Sequence, residues 1–247
     1  MGAHPIGGKP IEERSHERCW LDVPFAEKDK AKAAGARWDP AARLWYASDP
    51  SERVRRWIRV PDPLQGEDRQ FGAGLFVDLI PQSCWFTNVR SCVAPVDWNR
   101  LRKMVYRRAD QQCEICGSKV QMEAHERWAF DDSARTQRLI RLICLCRACH
   151  AATHFGFAQL QGRGEQARTH LMTVNSWTGN QTGEHIGAAF MLWRHRSQFA
   201  WELDLSILTA AGIALRQPPP AGPARIEAAQ RKLVNDPIGT RKTGTGR

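Results

Sequence analysis

Two Cys-x-x-Cys pairs constrain this chain more than any other feature of its sequence. The first pair is Cys113 and Cys116, and the second is Cys146 and Cys149. Because two intervening residues let the backbone curl around a single ion, two such pairs supply the four thiolates of a tetrahedral zinc site. The spacing therefore predicts a structural zinc ion, without which the surrounding region should not fold. Since four thiolates leave zinc no open coordination position, any catalysis must come from other residues.

The composition adds an excess of positive charge to this metal site. The chain has 247 residues, with 36 Lys and Arg against 26 Asp and Glu, and a formal net charge of +10. This excess indicates a polyanionic partner such as nucleic acid. No apolar stretch approaches the roughly 18 residues of a membrane span, and the first residues lack a secretory h-region. We therefore expect a soluble, cytoplasmic protein with reduced cysteines and no membrane partner.

Two segments hold most of the excess charge. Residues 216–247 contain seven cations and two acids, and their Pro- and Gly-rich composition predicts a disordered basic tail. The second segment reads as a helix that begins near Asp97, because Trp98, Leu101 and Val105 recur at helical spacing. Its cations are expected on the solvent face, either as an ordinary solvated surface or as contacts to phosphate groups. They are Arg100, Arg102, Lys103, Arg107 and Arg108.

The distribution of segments rich in Pro and Gly predicts an α+β protein of several parts. Breaks rich in Pro and Gly separate a folded N-terminal module from a zinc domain, and a helical extension follows that domain. Between the N-terminal module and the zinc domain, a short apolar run at 76–81 is typical of a strand. The predicted parts are a flexible N-terminus (1–17), a small module (18–63), a linker and strand region (64–97), the zinc domain (98–156), the helical extension (157–215) and the tail (216–247).

The N-terminal module has a pattern of its own. A strand, a short helix that ends at Gly35, and a strand-turn-strand unit are expected, with a second helix from Pro50 to Ile58. The segments 21–25, 35–39 and 45–46 resemble a small domain of unknown function found in primase-like and plasmid-associated proteins. Its aromatic residues are expected mainly to form the core of so small a unit. A stacking platform for single-stranded nucleic acid is the alternative.

Three histidines surround the cysteine pairs. His125 follows a strand-like segment, and His150 directly follows the last cysteine. If Cys149 lies at the start of a helix, His150 and His154 stand one turn apart on one face, a spacing that lets two imidazoles share a cation. Pairing between the strand before His125 and the strand at 139–145 would bring His125 beside that helix.

Over residues 98–156 these elements resemble the HNH endonuclease superfamily in its four-cysteine, zinc-stabilised ββα-metal (treble-clef-like) form. The shared order is a basic helix, Cys-x-x-Cys-Gly, a strand ending in His, a second strand, and Cys-x-x-Cys-His-x-x-x-His. The resemblance implies that His125 is the general base that activates water. It also implies that His150 and His154 bind a catalytic divalent cation such as Mg²⁺ or Mn²⁺.

Two positions depart from the family pattern. Ala124 stands where many members have an Asp or His metal ligand, and Arg141 stands near the position of the Asn that orients the base. Of the nearby acidic residues we favour Glu126 as a substitute, because at the end of a strand its side chain would be free to turn inward. The candidates are Glu123, Glu126, Asp131 and Asp132.

Together these patterns predict a metal-dependent HNH-type endonuclease that hydrolyses DNA phosphodiester bonds. Two alternatives stay open. The same scaffold could bind nucleic acid through a zinc-containing module without cleaving it, or it could serve as a protein-interaction adaptor whose working surface is the helical extension.

Overall fold

The computed structural model describes residues 18–85 and 88–217 of the chain. They form two compact units, with the boundary between Arg59 and Val60. The predicted flexible N-terminus lies outside the described residues, as does the predicted tail beyond its first two positions. In the described part, no helix is both long enough and apolar enough to span a membrane.

The first unit is a three-stranded antiparallel sheet with one short helix. Its strands are β1 (Cys19–Leu21), β2 (Arg37–Asp39) and β3 (Leu44–Ala47), in the order β1-β3-β2, and its helix is α1 (Lys28–Ala33). Gly35 follows the helix with a φ of +98°, the left-handed conformation that favours glycine at a helix end. The predicted strand, glycine-terminated helix and strand-turn-strand order are therefore present.

The second helix predicted for this unit, from Pro50 to Ile58, is reduced to a single 3-10 turn, Arg55–Trp57. The reason lies in the strand pairing, because Ile58 is bridged to Leu21 and must be extended. Trp57 is buried in the core, and the half-buried Trp45 packs against that core. Trp38 is exposed and meets Trp45 edge to face, with their ring centroids 5.6 Å apart.

The second unit is built around a long antiparallel hairpin. Strands β4 (Met122–Asp131) and β5 (Thr136–Cys146) pair over their whole length, and a short strand β6 (Glu202–Asp204) runs parallel to β5. Helices cover the hairpin on both sides. They are α2 (Val89–Cys92), α3 (Pro95–Arg108), α4 (Arg147–Thr153), α5 (Phe155–Leu160), α6 (Gly164–Asn175), α7 (Gly179–Arg196) and α8 (Ser206–Ala210).

Alternate residues of the hairpin face two separate cores. Leu142 and Cys144 lie in a cluster with apolar residues of α2, α3 and α8. Ile143 and Leu145 lie in a second cluster with residues of α4, α5 and α6. Because successive side chains of a strand point to opposite faces, α3 and α4 pack on opposite sides of the hairpin.

The segment predicted as a linker is part of these cores. Val60 and Leu64 are buried in the α3 cluster, and Leu75 and Val77 in the α4 cluster. The boundary of the first unit therefore falls at 59 and not at 63. The predicted strand at 76–81 is absent, because the backbone N–H of Val77 donates to His185 Nε2 and takes no place in a sheet ladder.

The predicted helical extension is mainly helical, but it also contains β6. This strand has only three residues, and its pairing partner on β5 lies more than sixty positions away in the sequence, so no local pattern marks it. The chain is thus a mixed α+β protein whose second unit packs helices on both faces of a three-stranded sheet.

Candidate functional site

Four cysteines converge at one end of the hairpin. Cys113 and Cys116 lie in a turn before β4, where Gly117 donates its N–H to the carbonyl of Cys113 and has a φ of +71°. Cys146 ends β5 and caps α4, and its sulfur accepts the N–H of Cys149 at 3.5 Å. Each Cys-x-x-Cys pair is therefore held by a local turn, as the spacing predicts.

The four sulfur atoms fit a tetrahedral metal. All lie within 4.8 Å of one another, and Cys116 Sγ is 3.5 Å from Cys146 Sγ. Zn–S bonds of about 2.3 Å at tetrahedral angles put sulfurs roughly 3.8 Å apart. The group could hold a metal such as zinc. Cys144, two residues before Cys146, is buried in the α3 cluster and belongs to the core, as expected.

The crowding of these thiols separates their pKa values. A hydrogen bond from the Cys149 thiol lowers the pKa of Cys113 to about 4. Because the Cys149 thiol donates this hydrogen bond to Cys113, the pKa of Cys149 is raised, and burial adds to the increase. Thiols that share protons in this way release them when a cation replaces the shared hydrogens, so metal binding should be strongly pH-dependent.

His170 on α6 joins this group, although its position in the sequence gave no signal. Its Nε2 lies 3.1 Å from Cys149 Sγ. The two residues are twenty-one positions apart, outside any ligand spacing, so only the packing of α6 against α4 brings them together. An imidazole N–H next to a thiolate is a hydrogen-bond donor that lowers the charge on sulfur.

The second cluster consists of His125, His150 and His154. His125 lies on β4 opposite Ile143, on the face covered by α4, and the other two come from α4 and its C-cap. Their ring centroids are 4.7 to 5.1 Å apart and the rings meet edge to face. Their ligand nitrogens all lie within 4.8 Å of one another. The three histidines singled out by the sequence therefore converge.

Burial keeps two of these imidazoles neutral. His125 is 2% exposed, and neither of its ring nitrogens has a hydrogen-bond partner within the described chain. Burial, followed by the charges of His154 and His150, holds the pKa of His125 well below its ordinary value. Burial likewise lowers the pKa of His154 to about 3, with His150 contributing. A buried imidazole without a partner is poised to bind a cation or accept a proton.

The carboxylate beside this cluster is Glu123, not the predicted Glu126. Glu123 accepts a hydrogen bond from His150 Nδ1 at 2.8 Å. Burial favours the neutral form of Glu123, but the hydrogen bond from His150 and the charges of His150, Arg147 and Arg163 together outweigh it, so the pKa of Glu123 is lowered. Glu126 lies on the opposite face of the strand, where it accepts the N–H of Val89 and burial raises its pKa. Glu126 does not lie at the expected strand end, because β4 continues to Asp131 and fixes Glu126 in mid-strand.

The basic helix α3 also differs from expectation. It begins at Pro95 with Ala94 as N-cap, so Asp97 lies inside the first turn, where it is buried and accepts from Arg100 at 2.7 Å. Arg108 is buried as well, paired with Glu67 at 2.7 Å. These two cations neutralise internal acids and do not face solvent. Arg102 and Arg107 are partly exposed and Lys103 is exposed, so only these three of the predicted phosphate contacts reach the surface.

Comparison with known proteins gives a family match for the first unit. Residues 18–59 match a family described as a domain of unknown function, DUF5710. Two curated proteins, each described as DNA primase TraC of Escherichia coli, are 40% identical over 62 residues and 39% identical over 51 residues. These matches cover 23% and 20% of this chain but only 6% and 4% of the relatives. No solved structure matches the chain.

The family match confirms the resemblance expected for the N-terminal module, and its last residue coincides with the boundary of the first compact unit. No HNH family is among the matches, so the resemblance over residues 98–156 stays a prediction.

Proposed function

We propose that the second unit is a metal-dependent endonuclease of the HNH type that hydrolyses DNA phosphodiester bonds. The observation that carries the proposal is the convergence of His125, His150 and His154, with both ring nitrogens of His125 buried and without a hydrogen-bond partner among the described residues. A buried polar side chain without a partner costs stability and is retained where chemistry needs it.

In this proposal His125 is the general base. A neutral imidazole accepts a proton from water as the water attacks phosphorus, and burial keeps His125 neutral. Its low pKa makes it a weak base in the free protein. A phosphate anion bound beside the ring would favour the charged imidazolium and raise the pKa towards neutrality, where a base works best.

His150 and His154 would bind the catalytic cation. The hydrogen bond from His150 Nδ1 to Glu123 leaves Nε2 of that ring for a metal, the usual arrangement of a carboxylate behind a ligating histidine. When bound, the cation supplies positive charge that stabilises the phosphoryl and leaving oxygens. Imidazole donors suit Mn²⁺, Co²⁺, Ni²⁺ or Zn²⁺ better than Mg²⁺, so we expect Mg²⁺ to support the weakest activity.

Arg141, which replaces the orienting Asn of the family pattern, has a structural task. It is buried, forms an ion pair with Glu114 and donates to the carbonyl of Arg69. His125 is instead fixed by its position on β4 and by the edges of His150 and His154. The site proposed here therefore orients its base through ring packing.

A DNA-binding module without cleavage is the second candidate. The similarity of 23% of the chain to part of a protein described as a DNA primase supports a setting in DNA metabolism. A protein-interaction adaptor has less support, because it gives the histidine cluster no task.

A nicking assay tests the proposal. The full chain, loaded with zinc, is incubated with supercoiled plasmid and each divalent cation, beside His125→Ala and a matched control, His195→Ala, whose side chain is exposed on α7. We expect His125→Ala to lose a factor of about 10² to 10⁴ in rate, the usual contribution of a general base, and the control to lose little. If the wild type nicks no faster than His125→Ala with any cation, the nuclease proposal fails.

A further inference from the structure

The basic helix α3 and the histidine cluster lie on opposite faces of the hairpin. Leu101 and Met104 of α3 pack in the cluster that contains Leu142 and Cys144. His125 is in register with Ile143, whose side chain belongs to the other cluster, with α4 and α5. A phosphate group that reaches His125 must therefore be held by cations other than those of α3.

Two neighbouring cavities open on the histidine side. One of about 70 Å³ is bordered by His150, His154 and Glu123. A larger one of about 470 Å³ is bordered by Gln121, Gln166 and His170. Both are also lined by the same three residues, Arg147, Ala151 and Arg163. The cavities thus adjoin at this shared border and together form one groove across α4.

The larger cavity has an excess of positive charge. Among the described residues that line it, Arg147 and Arg163 are cationic and no Asp or Glu is present. The hydrogen bonds that these two side chains make go to the neutral amides of Gln121 and Gln161. Glu123, which lines the smaller cavity, interacts electrostatically with both guanidinium groups, but its direct partner is His150. Unlike Arg100 and Arg108, the two arginines therefore form no direct ion pair among the described residues and can bind an anion.

We infer that Arg147 and Arg163 bind a phosphate of the DNA backbone at the junction of the two cavities. The strand would then run through the larger cavity and present the adjacent phosphodiester to the histidine cluster. The planar fork of arginine matches the oxygens of phosphate, and a pair of such groups fixes the register of a strand. This inference rests on the proposed function for its substrate.

The lining of the larger cavity favours backbone over base recognition. Its polar side chains include Ser118, Gln121 and Gln166, which suit sugar and phosphate oxygens, and its only aromatic ring is that of His170 among the described residues. Stacking platforms for bases need several aromatic faces. Binding in this groove should therefore depend on salt and very little on base sequence.

A binding assay tests the inference. Fluorescence anisotropy with a labelled duplex and with the corresponding single strand is measured across a salt series, on the zinc-loaded full chain without other divalent cations. We expect the pair Arg147→Gln and Arg163→Gln to weaken binding to both probes at least about tenfold, and to reduce the slope of log K against log salt by about 1 to 2. A matched pair on α3, Arg102→Gln and Lys103→Gln, removes the same charge and should change affinity by less than about threefold.

A third variant distinguishes the loss of a phosphate contact from misfolding. Arg147→Lys with Arg163→Lys keeps the charge, so it should keep most of the salt slope while losing part of the affinity. If the groove pair and the α3 pair weaken binding equally, or if the groove pair has no effect, the inference is overturned.

The outcome separates this inference from the nuclease proposal. A wild type that binds DNA through Arg147 and Arg163 but never nicks it supports the groove and refutes cleavage. A wild type that nicks plasmid while the Arg147→Gln, Arg163→Gln variant binds and nicks equally well refutes the groove and supports the nuclease.

Discussion

Acid should destabilise the protein through the imidazoles of the buried His125 and the half-buried His154. The ordinary pKa of histidine is 6.5, whereas in the folded chain the pKa of His154 is lowered to about 3 and that of His125 lies well below 6.5. The unfolded chain therefore binds protons more readily as the pH falls below 6.5. The stability that these neutral rings contribute is complete above pH 6.5 and is lost progressively below it, for His154 down to about pH 3.

The size of the effect follows from proton linkage. For a histidine that stays neutral in the folded state, the free energy of unfolding falls by about RT ln(1 + 10^(6.5 − pH)), or about 1.4 kcal/mol between roughly pH 7.5 and pH 5.5. Two such residues should together cost about 2.8 kcal/mol over this interval. That is a large part of the stability of an ordinary domain.

Urea denaturation at the two pH values measures this loss, with one equivalent of zinc and no other divalent cation. His125→Gln and His154→Gln should each lose about 1.4 kcal/mol less than the wild type over the interval. Protons taken up by the cysteines affect wild type and variants alike and cancel in the comparison. His195→Gln, at an exposed histidine, is the matched control for replacing an imidazole by an amide. If His125→Gln and His154→Gln show the same pH dependence of the free energy of unfolding as the wild type, these imidazoles are not held neutral by the fold.

Three further outcomes are expected. Cys116→Ser should abolish stoichiometric zinc binding and the cooperative unfolding of the second unit, as measured by a chromophoric zinc indicator and circular dichroism. His170→Ala should weaken zinc affinity by about 10- to 100-fold in competition with a chelator while leaving the stoichiometry at one, and unchanged affinity would mean that its contact with Cys149 is incidental. Glu67→Gln should lower the free energy of unfolding by about 3 kcal/mol because it removes the direct partner of the buried Arg108 and leaves the longer, 3.5 Å pair to Asp62, whereas Glu52→Gln, at an exposed ion pair, should cost less than about 1 kcal/mol.

The sequence predicts those features of the site that depend on local spacing. A Cys-x-x-Cys turn is defined by four consecutive residues, so Cys113 and Cys149 could be assigned to the metal group without knowledge of the fold. His150 and His154 were paired by the period of a helix, and α4 with its C-cap has that period. Local rules succeed here because the interacting residues lie within one turn.

What the sequence does not predict depends on distant contacts. Arg108 looks like a surface cation until Glu67, forty-one positions earlier, is brought against it by the fold. Glu126 is favoured over Glu123 until the end of β4 is known, because a side chain in mid-strand is held on one face of the sheet. His170 reaches Cys149 only through helix packing.

The histidine cluster depends on the cysteine cluster because α4 carries residues of both. This helix has seven residues, too few to be stable alone in water. Its first turn is fixed by Cys146 and Cys149, and His150 directly follows Cys149 in the same helix. A metal bound by the cysteines therefore also sets the position of His150 and, one turn later, His154. Removal of that metal should disperse the histidine cluster even though none of its members is a ligand of the cysteine-bound ion, and added divalent cations should then fail to restore it.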